Sequence, residues 1–202
     1  IHDKVFKFNF ESNIVLGNSL IDMYAKCGSL VDARKVFETL PNRSVVSWAS
    51  MLAGHVIDGD GFVAFDLYMN MEQEGITPTK FVISSVLKAC GQMCSLYHGK
   101  LLHSYAIELG LESNLVVSNG LIDMYIKCRS MSESYKLFNM SIDQDEVTLG
   151  SIMSGYVQDD KSLIALQLFE KMQWEGLTPD SVTLNCISKA KARTIPKRFA
   201  KI

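Results

Sequence analysis

No stretch of this sequence approaches the roughly 18–20 consecutive apolar residues that a membrane-spanning helix needs, although 48% of its 202 residues are apolar. A soluble chain with a packed core and no membrane partner is therefore expected. A leader is missing as well. The first residue is Ile1 rather than Met, and nothing near it has the pattern of a signal or transit peptide. The start is expected to be processed or cut from a longer chain. The five cysteines, Cys27, Cys90, Cys94, Cys128 and Cys186, lack both an even count and a disulfide-like spacing. That pattern argues against a secreted, cross-linked scaffold and for buried thiols in a reducing compartment.

Excess positive charge is also absent. The net charge of −2 offers no bulk attraction to nucleic acid or to an anionic membrane. Six of the 20 bases (Lys189, Lys191, Arg193, Lys197, Arg198 and Lys201) lie after residue 188, where there are no acids. Residues 1–188 thus hold 14 bases against 22 acids. Lys26 and Lys127 could meet phosphates, or simply sit at solvated helix ends favoured by the dipole.

Catalysis has no foothold. There is no Gly-rich phosphate loop, no Ser/His/Asp order and no carboxylate pair in a plausible cleft. No catalytic residue, cofactor or small-molecule substrate is expected. Cys90, Cys94, His98 and His103 offer metal-ligand types, but their spacing is too short for a two-Cys, two-His zinc site. A buried cysteine and helix histidines are the expected reading, with no metal. Cys27 and Cys128 read as small core residues, and Met51, Met71, Met153 and Met172 as apolar-face residues.

Proline is scarce, four in all, and two of them fall in near-identical phrases. Residues 74–79 read EGITPT and residues 175–180 read EGLTPD. The same offset of 101 aligns NSLIDMYAKCGS (18–29) with NGLIDMYIKCRS (119–130), Phe37 with Phe138, and Ala64 with Ala165. Such self-similarity marks a repeat protein. The period divides into units at 14–44, 45–79, 80–114, 115–145 and 146–180. Residues 1–13 end an earlier unit, and 181–202 begin another before a divergent basic tail.

Within a unit, Leu20, Met23, Tyr24 and Cys27 recur at helical steps, as do Leu30, Ala33, Phe37 and Leu40. Cys27-Gly28-Ser29 breaks the two runs. Ala64 and Ala165 allow close helix approach, Gly75 and Gly176 stop the second helix, and Pro78 and Pro179 keep it from resuming. Neither helix can bury its apolar face alone. The expected fold is all-α, a right-handed α-solenoid of stacked helix-turn-helix repeats with a concave surface. After Ala190 the pattern fails, and Pro196 falls where a hairpin should continue.

These residues resemble the pentatricopeptide repeat (PPR) proteins of the plant PLS subclass. NSLIDMYAKCGSLVDARKVF resembles an S-type unit, assigning 14–44 and 115–145. VVSWASMLAGH…AFDLYMNMEQEGITP resembles a P-type unit (45–79 and 146–180), and SSVLKACGQMCSLYHGKLLHSYAIELGLESN an L-type one (80–114). Residues 1–13 and 181–202 are then L-type pieces. The resemblance implies sequence-specific binding of single-stranded RNA, one base per repeat, without enzymatic activity. It implies organellar RNA processing or C-to-U editing-site recognition in a plant mitochondrion or chloroplast. Neither an H-x-E nor a C-x-x-C deaminase motif is in the chain, so an editing deaminase or other editing factor would act in trans.

The resemblance further implies that the fifth and last residues of each unit read one base. These pairs are Asn18 with Ser44, Ala49 with Thr79, Ser84 with Asn114, Asn119 with Asp145, and Gly150 with Asp180. The second residues, Val15, Val46, Phe81, Val116 and Val147, would wedge between bases. Asn with Ser resembles a cytidine-leaning pair and Asn with Asp a uridine pair. A pyrimidine at unit 14–44 and a U three nucleotides toward the 3′ end are therefore expected. Ala49 and Gly150 depart from the family pattern because neither side chain can hydrogen-bond. Other roles stay open: the asparagines as helix braces, and Ser44, Thr79, Asn114, Asp145 and Asp180 as N-caps. A protein-interaction scaffold and a degenerate gene product are the competing readings of the whole chain. RNA binding by an acidic array should be weak alone and only shallowly salt-dependent, unless the basic tail carries it.

Overall fold

The helical spacing between residues 14 and 40 becomes two antiparallel helices, α1 (Ile14–Lys26) and α2 (Leu30–Thr39). They belong to a computed structural model that describes residues 14–140 and 145–199, with side chains to residue 194. The unit end expected over residues 1–13 lies outside the described residues. The pattern continues with α3 (Val45–Ile57), α4 (Gly61–Gln73), α5 (Lys80–Gln92) and α6 (Leu96–Glu108). It resumes with α7 (Leu115–Lys127), α8 (Met131–Met140), α9 (Glu146–Gln158), α10 (Ser162–Trp174) and α11 (Ser181–Phe199). Among the described residues these eleven helices occur without a strand, so the fold class is all-α. No helix among them is long and apolar enough to cross a membrane.

The turn inside each hairpin is made the same way. Gly28, Gly59, Cys94, Arg129 and Asp160 all take the left-handed conformation, with φ between 51° and 86°. The next amide then reaches back to the last helical turn, as Ser29 N–H does to Tyr24 O (2.9 Å) and Ser130 N–H to Tyr125 O (2.8 Å). This closes carbonyls that would otherwise lack partners. Only glycine adopts that conformation without a steric cost, with Asp the better tolerated among the others, so Cys94 and Arg129 hold it against their own preference. The second helices differ in length. α2 and α8 have 10 residues, whereas α4, α6 and α10 have 13.

Two compact units divide the chain, residues 1–98 and 99–202. In the first, α1 packs on α2 and α3, and α3 on α4 and α5. In the second, α7 packs on α8 and α9, and α9 on α10 and α11. First helices therefore form one layer in each unit, with second helices laid along it. Ile21, Met51, Leu52 and Met71 are fully buried in the first unit, and Leu121, Ile122, Ile152 and Met172 in the second. Each such side chain contributes about 1.5–3 kcal/mol on leaving water. Ala64 and Ala165 are fully buried midway along α4 and α10. Gly54 shows how tight the layer is: a Cβ there would lie 2.8 Å from Ala25 Cβ.

One expectation is corrected. Cys27 and Cys94 are exposed and Cys128 is half-buried, leaving only Cys90 and Cys186 in the core. Residues 27 and 128 each follow the last helical residue, where the chain turns and the side chain leaves the apolar stripe. From residue 181 the chain forms one helix, α11, which runs through Pro196 to Phe199. Arg193 helps hold it, donating to Val157 O and lying 3.7 Å from Asp160 at the end of α9.

Candidate functional site

Each first helix exposes its second residue. Val15, Val46, Phe81, Val116 and Val147 are all exposed, from 38% for Val116 to 71% for Val15. These apolar side chains stand toward solvent at the start of each first helix, while buried residues such as Ile21, Leu52, Ile83, Ile122 and Ile152 line the helices' other stripe. Val182 of α11 repeats the feature at 63% exposure, a position the sequence reading did not single out.

Three residues further on, the side chains differ from unit to unit. Asn18 reaches Ser44 across 26 residues of sequence, its Nδ2 donating to Ser44 Oγ at 3.2 Å. Ser44 is the N-cap of α3, exchanging bonds with Ser47 in a capping box. Asn119 makes the equivalent approach in the second unit, with Nδ2 3.4 Å from Asp145 Oδ2. Asp145 caps α9, accepting from Thr148 N–H at 2.8 Å. The structure thus brings both asparagines together with their proposed partners, and those partners are helix caps as well. The two roles coexist because a capping oxygen keeps a further lone pair.

The other pairs are less complete. Ala49 is half-buried, and Thr79 is exposed at the start of α5 without a side-chain capping bond. Ser84 is buried in α5, and Asn114 caps α7 by accepting from Val116 N–H at 3.2 Å. Gly150 is buried and Asp180 exposed. Asp180 accepts from Thr183 N–H at 2.7 Å, and this hydrogen bond holds its carboxyl below the ordinary range. It is therefore an acceptor-only group at neutral pH. Gly150 borders an open hollow of ≈ 280 Å³ together with Val147, Val182, Asp180, Thr183 and Lys127.

The lysines near these sites are locally neutralised. Lys26 Nζ lies 2.7 Å from Asp22, and Lys127 Nζ 2.8 Å from Asp123. Two of the histidines have partners of their own: His98 bonds Ser95 Oγ, and His103 bonds Tyr125 and Glu112. The sequence reading missed Ser47, Thr148 and Thr183, buried third residues of α3, α9 and α11. A signal was present, since Ser47 and Thr148 are hydroxyl residues at the same 101-residue offset.

Comparison with known proteins agrees with this architecture. A family model described as "PPR repeat" matches residues 18–45, 116–144 and 147–177, and one described as "Pentatricopeptide repeat domain" matches 42–93. A putative pentatricopeptide repeat-containing protein of Arabidopsis thaliana is 35% identical over 96% of this chain and 28% of its own length. A mitochondrial one from the same plant is 35% identical over 94% of this chain and 18% of its own length, and another relative there is named chloroplastic. The chain therefore spans less than a third of these curated relatives. Among solved structures, the pentatricopeptide repeat protein PPR10 in complex with an 18-nt psaJ RNA element aligns with TM-score 0.76 at 18% identity. It covers 93% of this chain and 28% of its own. That level of identity bears on the fold alone. With the two family models matching more than half of its residues, and with the hairpin layers just described, the chain belongs to the pentatricopeptide repeat family.

Proposed function

We propose that this chain is a sequence-specific single-stranded RNA-binding segment in which successive helical hairpins each face one base. One observation carries the reading. Asn18 with Ser44, and Asn119 with Asp145, converge beside exposed apolar second residues. A base stacked against the valine of one hairpin would present its hydrogen-bonding edge to the amide and to the cap residue. The helix starts at 14, 45, 80, 115, 146 and 181 support the unit boundaries read from the sequence. The 10-residue second helices support the S-type assignment of 14–44 and 115–145, hence a PLS-subclass protein. Relatives named mitochondrial and chloroplastic support an organellar setting. In that setting the longer protein would guide RNA processing or C-to-U editing, with any deaminase acting in trans.

The test is a titration of single-stranded RNA, with and without the double substitution Asn119→Ala/Asp145→Ala. Loss of the preference for U at one nucleotide, with binding otherwise retained, is the expected result. Selection from a random RNA pool should enrich a pyrimidine followed three nucleotides later by U. No RNA binding at all would favour the protein-interaction scaffold instead.

A further inference from the structure

At both asparagine sites the shortest contact of the amide is not with the last residue of its unit. Ser47 Oγ donates to Asn18 Oδ1 at 2.6 Å, against 3.2 Å from Asn18 to Ser44. Thr148 Oγ1 lies 2.5 Å from Asn119 Oδ1, against 3.4 and 3.5 Å from Asn119 to the two oxygens of Asp145. Both hydroxyls belong to the third residue of the following hairpin, and both side chains are shielded from water, at 0% and 1% exposure. A third hydroxyl, Thr183, occupies the same place opposite Gly150 and engages Asp180. Where residue 49 is alanine, the corresponding residue is the buried Val82.

An asparagine amide has two N–H donors and two acceptor lone pairs. The internal bonds occupy one of each, leaving a single N–H and a single lone pair for a further partner. The order in which these stand decides what can pair with them. Uracil offers a carbonyl acceptor beside the N3–H donor; cytosine offers the N4 amino donor beside the N3 acceptor. Turning the amide over exchanges one pattern for the other. We infer that the buried hydroxyls of Ser47 and Thr148 are positioning residues that lock this orientation and so set discrimination between uracil and cytosine. At Asn119 the carboxylate of Asp145 accepts only and keeps Nδ2 on its side, while the single Thr148 hydroxyl proton is shared between Asn119 Oδ1 and Asp145 Oδ1, which lies 2.6 Å from Thr148 Oγ1. At Asn18 both neighbours are hydroxyls that can donate or accept, so Ser47 carries more of the burden.

The inference rests on the base-reading proposal, and the experiment separates the two. Binding of the 202-residue chain is measured to four single-stranded RNAs that differ only at the nucleotide facing Asn119. The proteins are wild type, Asn119→Ala, Thr148→Val and Thr148→Ser, and Ser47→Ala is measured at its own nucleotide. Valine keeps the volume and branching of threonine, and circular dichroism checks that helix content is unchanged. Loss of one net hydrogen bond should lower the U:C affinity ratio about fivefold in Thr148→Val. Thr148→Ser should restore the ratio, and Ser47→Ala should change it at least as much at the first site. The side-chain amide signals of Asn119 in the RNA-free protein should shift in Thr148→Val and return in Thr148→Ser. If Asn119→Ala removes the preference while Thr148→Val and Ser47→Ala preserve it, the positioning role is wrong and base reading stands. If Asn119→Ala also keeps the preference, both fall.

Discussion

Replacing Asp123 by asparagine frees a lysine at the edge of the proposed RNA path. Lys127 Nζ lies 2.8 Å from Asp123, and both border the hollow between Val147 and Asp180. A lysine so paired presents almost no net charge to a phosphate. An exposed pair one helical turn apart contributes only about 0.3–0.5 kcal/mol to folding, so Asp123→Asn should remain folded. Once released, the ammonium can neutralise one further phosphate, which for a single strand steepens the slope of log K against log salt by about 0.7. The variant's advantage over wild type should then grow roughly fivefold for each tenfold reduction in salt. Adding Asp22→Asn, which frees Lys26 from its 2.7 Å partner, should bring the steepening to about 1.4. Fluorescence anisotropy between about 15 and 150 mM salt, within the screening-sensitive range, measures both slopes. Unchanged slopes would mean these lysines do not face the strand. A wild-type slope steeper than about −3 with no sequence preference would mean more than four phosphates are neutralised, and would move binding to the basic tail.

Three further outcomes follow from the fold. Arg129→Gly relieves a left-handed residue (φ 57°); the steric relief of about 1–2 kcal/mol exceeds the entropy that glycine loses. A thermal melt should therefore rise by a few degrees, whereas Gly28→Ala (φ 76°) should lower it. Gly54→Ala should cost about 1–3 kcal/mol in urea unfolding, because the new methyl meets Ala25 Cβ, which cannot swing aside. Gly155→Ala should cost less, since its nearest neighbour at 2.8 Å is the flexible Met131 Sδ. His55 is 8% exposed and neither ring nitrogen has a hydrogen-bond partner among the described residues. Burial is the main reason its pKa falls below 6.5, aided by Arg34 and opposed by Asp60 and Asp58. The unfolded chain thus takes up a proton there before the folded one does. Stability is fully present above about pH 6.5 and declines as pH falls from that value toward the lowered folded pKa. His55→Leu should flatten that part of the stability–pH curve; an unchanged curve would rule out His55 as its source.

Much of the architecture was legible because it is written in local chemistry. Leu20 to Leu40 repeat at helical steps, and glycine and proline recur wherever a second helix stops. Both signals depend only on nearby residues. Less legible was whatever depends on residues far apart in sequence. Cys27 matches the helical spacing, yet it falls in the turn one residue beyond α1 and is exposed. Arg129 stands where its repeat-mate is glycine, and the sequence alone does not say that the turn keeps its left-handed shape. Packing of α7 and α8 on either side of that turn imposes it. Likewise the repeat pattern fades after Ala190, and only the structure shows one helix continuing there, with Arg193 tied to the end of α9.

By itself the sequence determined an all-helical repeat of known period, its helix ends, and the asparagines that stand out at the fifth position. Those features follow from periodicity and from backbone limits that each residue carries with it. Only the tertiary structure decided what those asparagines touch. It set Ser47 beneath Asn18 and Thr148 beneath Asn119, each pair 29 residues apart in sequence. It also set Thr183 against Gly150, where a Cβ would lie 2.8 Å from the threonine Oγ1. The physical reason is that an amide's orientation is settled by the donors and acceptors around it, and these are assembled when one hairpin packs on the next.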